Sequence, residues 1–263
     1  MARTELAPEA RGSYVELIPD QLYALGGAIP LDGQASWAPS TAAGFQPLNC
    51  YLIRGASDIL VDTGIGCVRE EVMEGLQLIL REGAPISIFM TRALMDCVGS
   101  LGLIVDRYEV RDIFTGGRPN PFDQFEATSA TKMGVHRSPV DPPIEVFPTT
   151  LKLLATYWGY DAATRTAFTS DSFAHTTVAD PRRRPVIDSL DADLSTEADV
   201  RAHIDTAFWW LKYADNRNLI AENIRSFFES HPVEIIAPTR GCVLVGEEVV
   251  ERHVEMVLDA ISQ

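Results

Sequence analysis

The stretch from Ile86 to Leu103 constrains the fold of this chain more than any other. It begins with a short apolar run, ISIFM, continues through TRALMDC, and ends in a small-residue turn that is followed by an apolar segment. The short apolar run predicts a buried strand, and the segment after the turn predicts a helix. In α/β proteins, ligands bind outside the carboxyl ends of the strands, where a loop leads into a helix. We therefore take TRALMDC as the candidate functional loop.

A predicted hairpin precedes this loop. Residues 48–53 and 58–62 are two strand-like apolar runs that are separated by RGAS, a spacing typical of a hairpin. The second run ends in Asp62, and the glycines Gly64 and Gly66 that follow allow a tight turn into a helix. The order of these elements is that of an α/β protein.

Further helices and two long loops are predicted elsewhere. Residues 197–231 have the apolar spacing of two helices, and residues 247–261 have that of an amphipathic helix. Residues 26–47 are rich in Gly, Pro, Ser and Ala, which predicts a long surface loop with Trp37 as an apolar anchor. Residues 117–143 are rich in proline and predict a second loop, either a lid over the site or a plain excursion.

Composition limits the class of protein. The net charge of -15 argues against binding to nucleic acid or to an anionic membrane by bulk attraction. The sequence has neither an apolar run of membrane-spanning length nor the apolar core of a signal peptide. Its four cysteines lack any CxxC pairing, so neither a disulfide framework nor a zinc knuckle is predicted. We expect a cytoplasmic protein that forms a single domain over residues 1–263, with residues 1–13 flexible.

These motifs resemble those of the metallo-β-lactamase superfamily. In that family the loop reads Thr/Asn-His-x-His/Glu-x-Asp-His, followed by a small residue, Gly and a small residue; here it reads TRALMDCVGS, from Thr91 to Ser100. The hairpin, NCYLI and then LVDTG, is similar to the family's Asn-x-Tyr-Leu-Ile and Leu-Ile-Asp-Thr-Gly. The resemblance implies a four-layer αββα sandwich, with two mixed sheets face to face, helices outside, and the site at one edge between the sheets.

Three later stretches narrow the resemblance to the flavodiiron-type branch, which contains oxygen and nitric oxide reductases and stand-alone oxygen-binding di-iron proteins. They are YDAATRTAFTSDSF at 160–173, the segment that starts at Tyr213, and IIAPTRGCVL at 235–244. Order and spacing agree from residue 48 to residue 244. The resemblance implies a homodimer. The chain ends without room for the flavodoxin domain of the reductases, so no FMN is expected.

The family's metal-ligand positions are largely altered here. The resemblance places them on Arg92, Leu94, Asp96, Cys97, Lys152, Asp171 and Arg240. Only two carboxylates and one thiol are thus retained as potential donors. Iron and zinc need imidazole, carboxylate or thiolate ligands, and arginine has no lone pair to donate. We therefore expect a degenerate site that holds neither metal nor any other cofactor.

The altered positions bring positive charge to the place of the metals. Arg92, Lys152 and Arg240 would stand against the carboxylates of Asp96 and Asp171, which are costly to bury without a counter-charge. Two arginines also suit bidentate binding of a carboxylate or phosphate. The main interpretation is a pseudoenzyme that binds a small anionic ligand or a partner, with Lys152 and His175 among the ligand-binding candidates.

Three alternatives stay open. The first is a salt-bridged site without any chemistry. In the second, Cys97 is a nucleophile whose pKa is lowered by the neighbouring arginines. In the third, the chain is a hydrolase of the superfamily that holds one zinc or iron ion on Asp96, Cys97 and Asp171, with His175 facing the site. The catalytic candidates are accordingly Asp96, Cys97 and Asp171.

Overall fold

The strands form two mixed sheets. The computed structural model describes residues 13–81, 83–115, 127–129, 136–137 and 144–262. In spatial order, the first sheet contains β1 (Tyr14–Ile18), β2 (Leu22–Pro30), β3 (Phe45–Ile53), β4 (Asp58–Val61), β5 (Ile86–Met90), β6 (Val110–Thr115) and β7 (Ala127–Ser129). The second contains β12 (Val186–Ile187), β14 (Val243–Val245), β13 (Ile235–Pro238), β11 (Thr166–Ser170), β10 (Tyr157–Asp161), β9 (Glu145–Pro148) and β8 (His136–Arg137).

Two groups of helices cover the outer faces of these sheets. The helices are α1 (Arg69–Ile79), α2 (Met95–Val98), α3 (Leu101–Arg107), α4 (Glu197–Ala207), α5 (Arg217–Ser230) and α6 (Glu247–Ser262). Apolar side chains of α1 and α3 pack on the first sheet, and those of α4, α5 and α6 pack on the second. A 3-10 turn at Trp209–Tyr213 separates α4 from α5, so the predicted pair of helices is confirmed. Among the described helices, none combines the length and the apolar character that crossing a bilayer requires.

A third apolar cluster lies between the two sheets. Phe89 of β5 and Phe114 of β6 stack at 5.2 Å between ring centroids, and Tyr51 of β3 contacts Phe168 of β11 at 5.5 Å. The sheets therefore bury their inner faces against each other, as in a sandwich. The αββα architecture predicted from the sequence is confirmed.

The first predicted loop is shorter than expected. β2 continues to Pro30 and β3 already begins at Phe45, so the loop covers residues 31–44 rather than 26–47. Gly26 is responsible for the wrong boundary: it lies within β2 at φ +137°, and a Cβ there would lie 1.9 Å from the carbonyl oxygen of Leu48. This glycine allows two strands to approach closely instead of opening a loop. The second predicted loop, Gly117–Pro143, lies outside the described residues except for β7 and β8.

Replacing Gly159 with alanine should destabilise the sandwich. A Cβ at Gly159 would lie 2.6 Å from a ring carbon of Phe89, which is fully buried and stacked on Phe114. We expect a loss of about 1–3 kcal/mol in the free energy of unfolding, measured by urea denaturation. Gly102→Ala is the control, because Gly102 is exposed in α3 and has no atom near its Cβ position. Equal effects of the two changes would contradict this packing.

Candidate functional site

The candidate residues meet at the carboxyl ends of four strands. β4 and β5 run parallel in the first sheet, and β11 and β13 run parallel in the second. Asp62 follows β4, Arg92 follows β5, Asp171 follows β11 and Arg240 follows β13. The backbone N–H of Tyr157, at the start of β10, donates to the carbonyl of Thr91 at 2.9 Å and joins the two sheets at this edge. The TRALMDC loop is thus placed where the sequence pattern predicted it.

Four buried charged side chains form the centre of the site. The Arg92 guanidinium donates one hydrogen bond to Asp171 Oδ2 and another to Asp96 Oδ2. Arg240 Nη2 lies 3.4 Å from Asp171 Oδ2, and Arg240 Nε lies 3.5 Å from Asp96 Oδ2. All four residues are buried. We call Arg92, Asp96, Asp171 and Arg240 the guanidinium–carboxylate cluster.

The cluster is balanced in charge, with two cations and two carboxylates. Burial alone would lower the pKa of Arg92, but the charges of Asp171, Cys97 and Asp96 raise it above its ordinary value. Burial and the neighbouring Arg92 lower the pKa of Arg240; an arginine nevertheless stays protonated in proteins. The indole of Trp37 covers Arg240, with 4.7 Å from the guanidinium carbon to the ring centroid, and donates to Gln46 Oε1.

Two of the predicted ligand-binding residues lie apart from the cluster. Lys152 is half-buried and, within the described ranges, makes no ion pair with Asp96 or Asp171. His175 Nε2 is 2.8 Å from Nδ1 of His253 and makes its hydrogen bond there. The sequence predicted three cations against two carboxylates at this site. Among the residues described, two arginines stand against two carboxylates.

Cys97 is placed as a buried thiol rather than as a reactive one. It is fully buried, and its Sγ lies 3.6 Å from Thr91 Oγ1. Burial, followed by the carboxylates of Asp62 and Asp96, raises its pKa well above the ordinary value. The sequence led us to expect that the arginines lower the pKa of Cys97. The net pKa shift is upward instead, because Arg92 only partly offsets the effect of burial. A protonated thiol is a poor nucleophile and a poor metal ligand.

Asp62 forms the floor beneath the cluster. Its Oδ1 accepts a hydrogen bond from the backbone N–H of Thr91 at 2.8 Å, and its Oδ2 accepts one from the hydroxyl of Thr239 at 3.1 Å. Burial, with a contribution from Asp96, raises the pKa of Asp62 to about 7, although the Thr91 hydrogen bonds and Arg92 act to lower it. The backbone at Asp62 has φ 58°, a left-handed conformation that aspartate tolerates better than most residues.

The donor set does not fit a dinuclear metal centre. In the part of the chain that the structure describes, no three His, Cys, Asp or Glu side chains converge as metal ligands. The Arg92 guanidinium stands between the two carboxylates and engages one oxygen of each. The arrangement is suited to holding two loops together by charge-assisted hydrogen bonds.

Comparison with solved structures identifies the fold. The rubredoxin oxygen:oxidoreductase of Desulfovibrio gigas matches with a TM-score of 0.73 and 14% identity, over 95% of this chain and 62% of that chain. A flavo di-iron protein variant from Thermotoga maritima matches with a TM-score of 0.72 and 14% identity, over 94% of this chain and 61% of that one. A chemotaxis sensor, ODP, in a peroxy diiron form matches with a TM-score of 0.59 and 14% identity, over 94% of each chain.

The chain therefore has the metallo-β-lactamase fold of the flavodiiron proteins, as its motifs predicted. It spans about 62% of the length of the first of these relatives. Neither a protein-family model nor a curated protein sequence matches it. At this level of identity, the likeness concerns the fold.

Removing the central guanidinium should be severely destabilising. Arg92→Met leaves two buried carboxylates with only the longer contacts of Arg240, and we expect a loss of about 3–5 kcal/mol in the free energy of unfolding at neutral pH. The matched control is Arg182→Met, because the Arg182 side chain is 88% exposed and pairs only at the surface; no measurable change is expected there. Asp96→Asn and Asp171→Asn, added to Arg92→Met, should recover part of the loss. An unchanged stability in Arg92→Met would refute the counter-ion role.

Asp62 should make a pH-dependent contribution to stability. Its pKa is 3.8 in a model peptide and about 7 in the fold. Between these values the native state retains a proton that the unfolded state has lost, so the Asp62 contribution to stability falls as pH rises towards 7. Asp62→Asn removes this contribution. Urea denaturation from pH 4 to pH 8 should show the variant gaining stability relative to the parent as pH increases. Parallel curves would contradict the shift.

Proposed function

We propose that this chain is a metal-independent binding protein, built on the metallo-β-lactamase fold but without the dinuclear metal chemistry of that site. One observation carries the proposal: the Arg92 guanidinium lies between the carboxylates of Asp96 and Asp171 and donates a hydrogen bond to each. A guanidinium is a permanent cation with five donors and no lone pair. It can neutralise the two carboxylates as a metal would, but it cannot activate oxygen or water by coordination.

The electrostatics support the same proposal. Two buried cations match two buried carboxylates, so admission of a divalent ion would bring excess positive charge unless an arginine moved away. Displacing Arg92 into a buried site without a partner would cost several kcal/mol. The protein we propose is therefore a pseudoenzyme, and its ligand is a small organic anion or a partner.

The anion does not belong to the cluster itself. Binding of an anion there was inferred from one cation in excess, and Lys152 does not supply that charge among the described residues. The unpartnered oxygens at the cluster, Asp96 Oδ1 and Asp171 Oδ1, are buried and would repel an anion. We infer that the ligand binds outside the cluster.

The same two oxygens favour one competing function, a hydrolase with a rearranged site for one metal ion. Asp96 Oδ1 and Asp171 Oδ1 are acceptors without a partner among the described residues. A metal that used them would have Cys97 as the remaining donor of the predicted set. Because the pKa of Cys97 is raised by burial and by two carboxylates, formation of the thiolate is disfavoured. This function therefore ranks second.

Metal content separates the two functions. The protein would be purified from cells grown with added iron, and separately with added zinc, and analysed by elemental mass spectrometry. We expect far less than one ion per chain in both preparations, because arginine cannot replace the missing ligands. The control is the Asp96→Asn/Asp171→Asn variant. Close to one or two ions per chain in the parent, with loss of metal in this variant, would overturn the metal-independent assignment and favour a rearranged metal site.

A further inference from the structure

A large cavity lies beside the cluster and contains none of its four residues. Its volume is about 850 Å³, within the range of small-molecule sites. Its walls come from residues 31–46, residues 174–188, and residues 192–203, which include the start of α4. Much of the wall is apolar, and buried or partly buried polar side chains interrupt it. Three of these side chains have a nitrogen atom without a partner among the described residues: His175, Arg184 and His203.

His175 belongs to a row of buried polar side chains. Its Nε2 lies 2.8 Å from Nδ1 of His253, and His253 Nε2 lies 3.2 Å from Asp193 Oδ2. One ring nitrogen of His175 is therefore engaged, whereas its Nδ1 has no partner among the described residues. Burial lowers the pKa of His175 and of His253, which is consistent with neutral rings.

His203 presents a second nitrogen of the same kind. The ring is buried, and its Nε2 has no partner among the described residues. The His175 and His203 rings are 6.2 Å apart between centroids. Two buried ring nitrogens without partners are costly unless a ligand forms hydrogen bonds with them.

Arg184 is a cation with a free donor in the same wall. Its Nη1 lies 3.2 Å from Asp188 Oδ2, whereas its Nε is buried without a partner among the described residues. A carboxylate oxygen of a ligand would satisfy this donor through a charge-assisted hydrogen bond. The wall also carries the cation Arg183 and the carboxylates of Asp188 and Asp199. Apolar residues such as Val178, Ile187 and Leu194 surround them.

We propose that this cavity binds a small organic acid that also carries a hydroxyl group. The carboxylate pairs with Nε of Arg184, and the hydroxyl pairs with the unpartnered nitrogens of His175 and His203. A hydroxyl suits these nitrogens because it can both donate and accept a hydrogen bond, so it fits either tautomer of a neutral ring. This inference rests on the proposed function, because it specifies where the ligand of that function binds and to which chemical class the ligand belongs.

Matched pairs of small acids test the inference. The probes are γ-hydroxybutyrate, para-hydroxybenzoate and para-hydroxyphenylacetate, each compared with the acid that lacks the hydroxyl. Binding is measured by thermal shift and by calorimetry. We expect at least one hydroxy acid to raise the melting temperature and to bind with a Kd below about 1 mM. Its counterpart without the hydroxyl should bind roughly five- to tenfold more weakly, as expected for one lost hydrogen bond.

Two variants assign the ends of the ligand. Arg184→Met should abolish binding of the acid, whereas Arg182→Met, which alters an exposed arginine outside the cavity wall, should leave it unchanged. His203→Phe should remove the preference for the hydroxyl while the acid still binds. The Arg184 side chain is 20% exposed whereas His203 is buried, so Arg184→Met is the milder change. The first pair of variants stays informative even where His203→Phe fails to fold.

The proposal is overturned by any of three results: no hydroxy acid binds, the hydroxyl makes no difference, or Arg184→Met binds as the parent does. The metal analysis is made without any of these acids, so the two tests are independent. If no acid binds, the metal-independent assignment still stands. If the cluster holds metal, the Arg184→Met and His203→Phe variants still decide whether the cavity binds the acid.

Discussion

The contact of one guanidinium with two carboxylates determines how the two sheets meet at the functional edge. Arg92 and Asp96 belong to the loop and helix after β5 of the first sheet, and Asp171 follows β11 of the second. The hydrogen bonds therefore run within one loop and across the sandwich at the same time. Each carboxylate would be expensive to bury alone, and Arg92 would be equally expensive without them. The three side chains make the burial of one another possible.

Much of this arrangement could be predicted from local sequence. The apolar run before TRALMDC indicated a buried strand, and the strand placed Arg92 at its carboxyl end, where Asp171 and Arg240 also come to lie. Lys152 could not be placed in this way. It lies in an irregular segment before β10, where neither helical nor strand periodicity relates its position to that of the neighbouring strands. Gly26 misled for the opposite reason: a glycine that permits close strand pairing has the same sequence signal as one that opens a loop.

The histidine arrangement beside the cavity had no sequence signal at all. His175 follows β11, His203 is in α4 and His253 is in α6, so their contacts depend on how α4 and α6 pack on the second sheet. Helix packing is set by many apolar contacts that no short motif records. The carboxylate of Asp193 lies at one end of this row, 3.2 Å from His253 Nε2. A polar row of this kind appears only once the fold is known.

The guanidinium at the centre of the cluster has a consequence for how the protein meets its environment. A metalloprotein acquires its central cation from solution, so its folding is coupled to the concentration of that ion and to competition from chelators. Here the central cation is the side chain of Arg92, which is part of the polypeptide. Its presence at the site therefore does not depend on the concentration of any ion in solution. In the metal-independent protein that we propose, starvation for iron, or oxidation that would change the charge of a metal, would have no ion to act on at Arg92. Such a site would be complete as soon as the chain has folded.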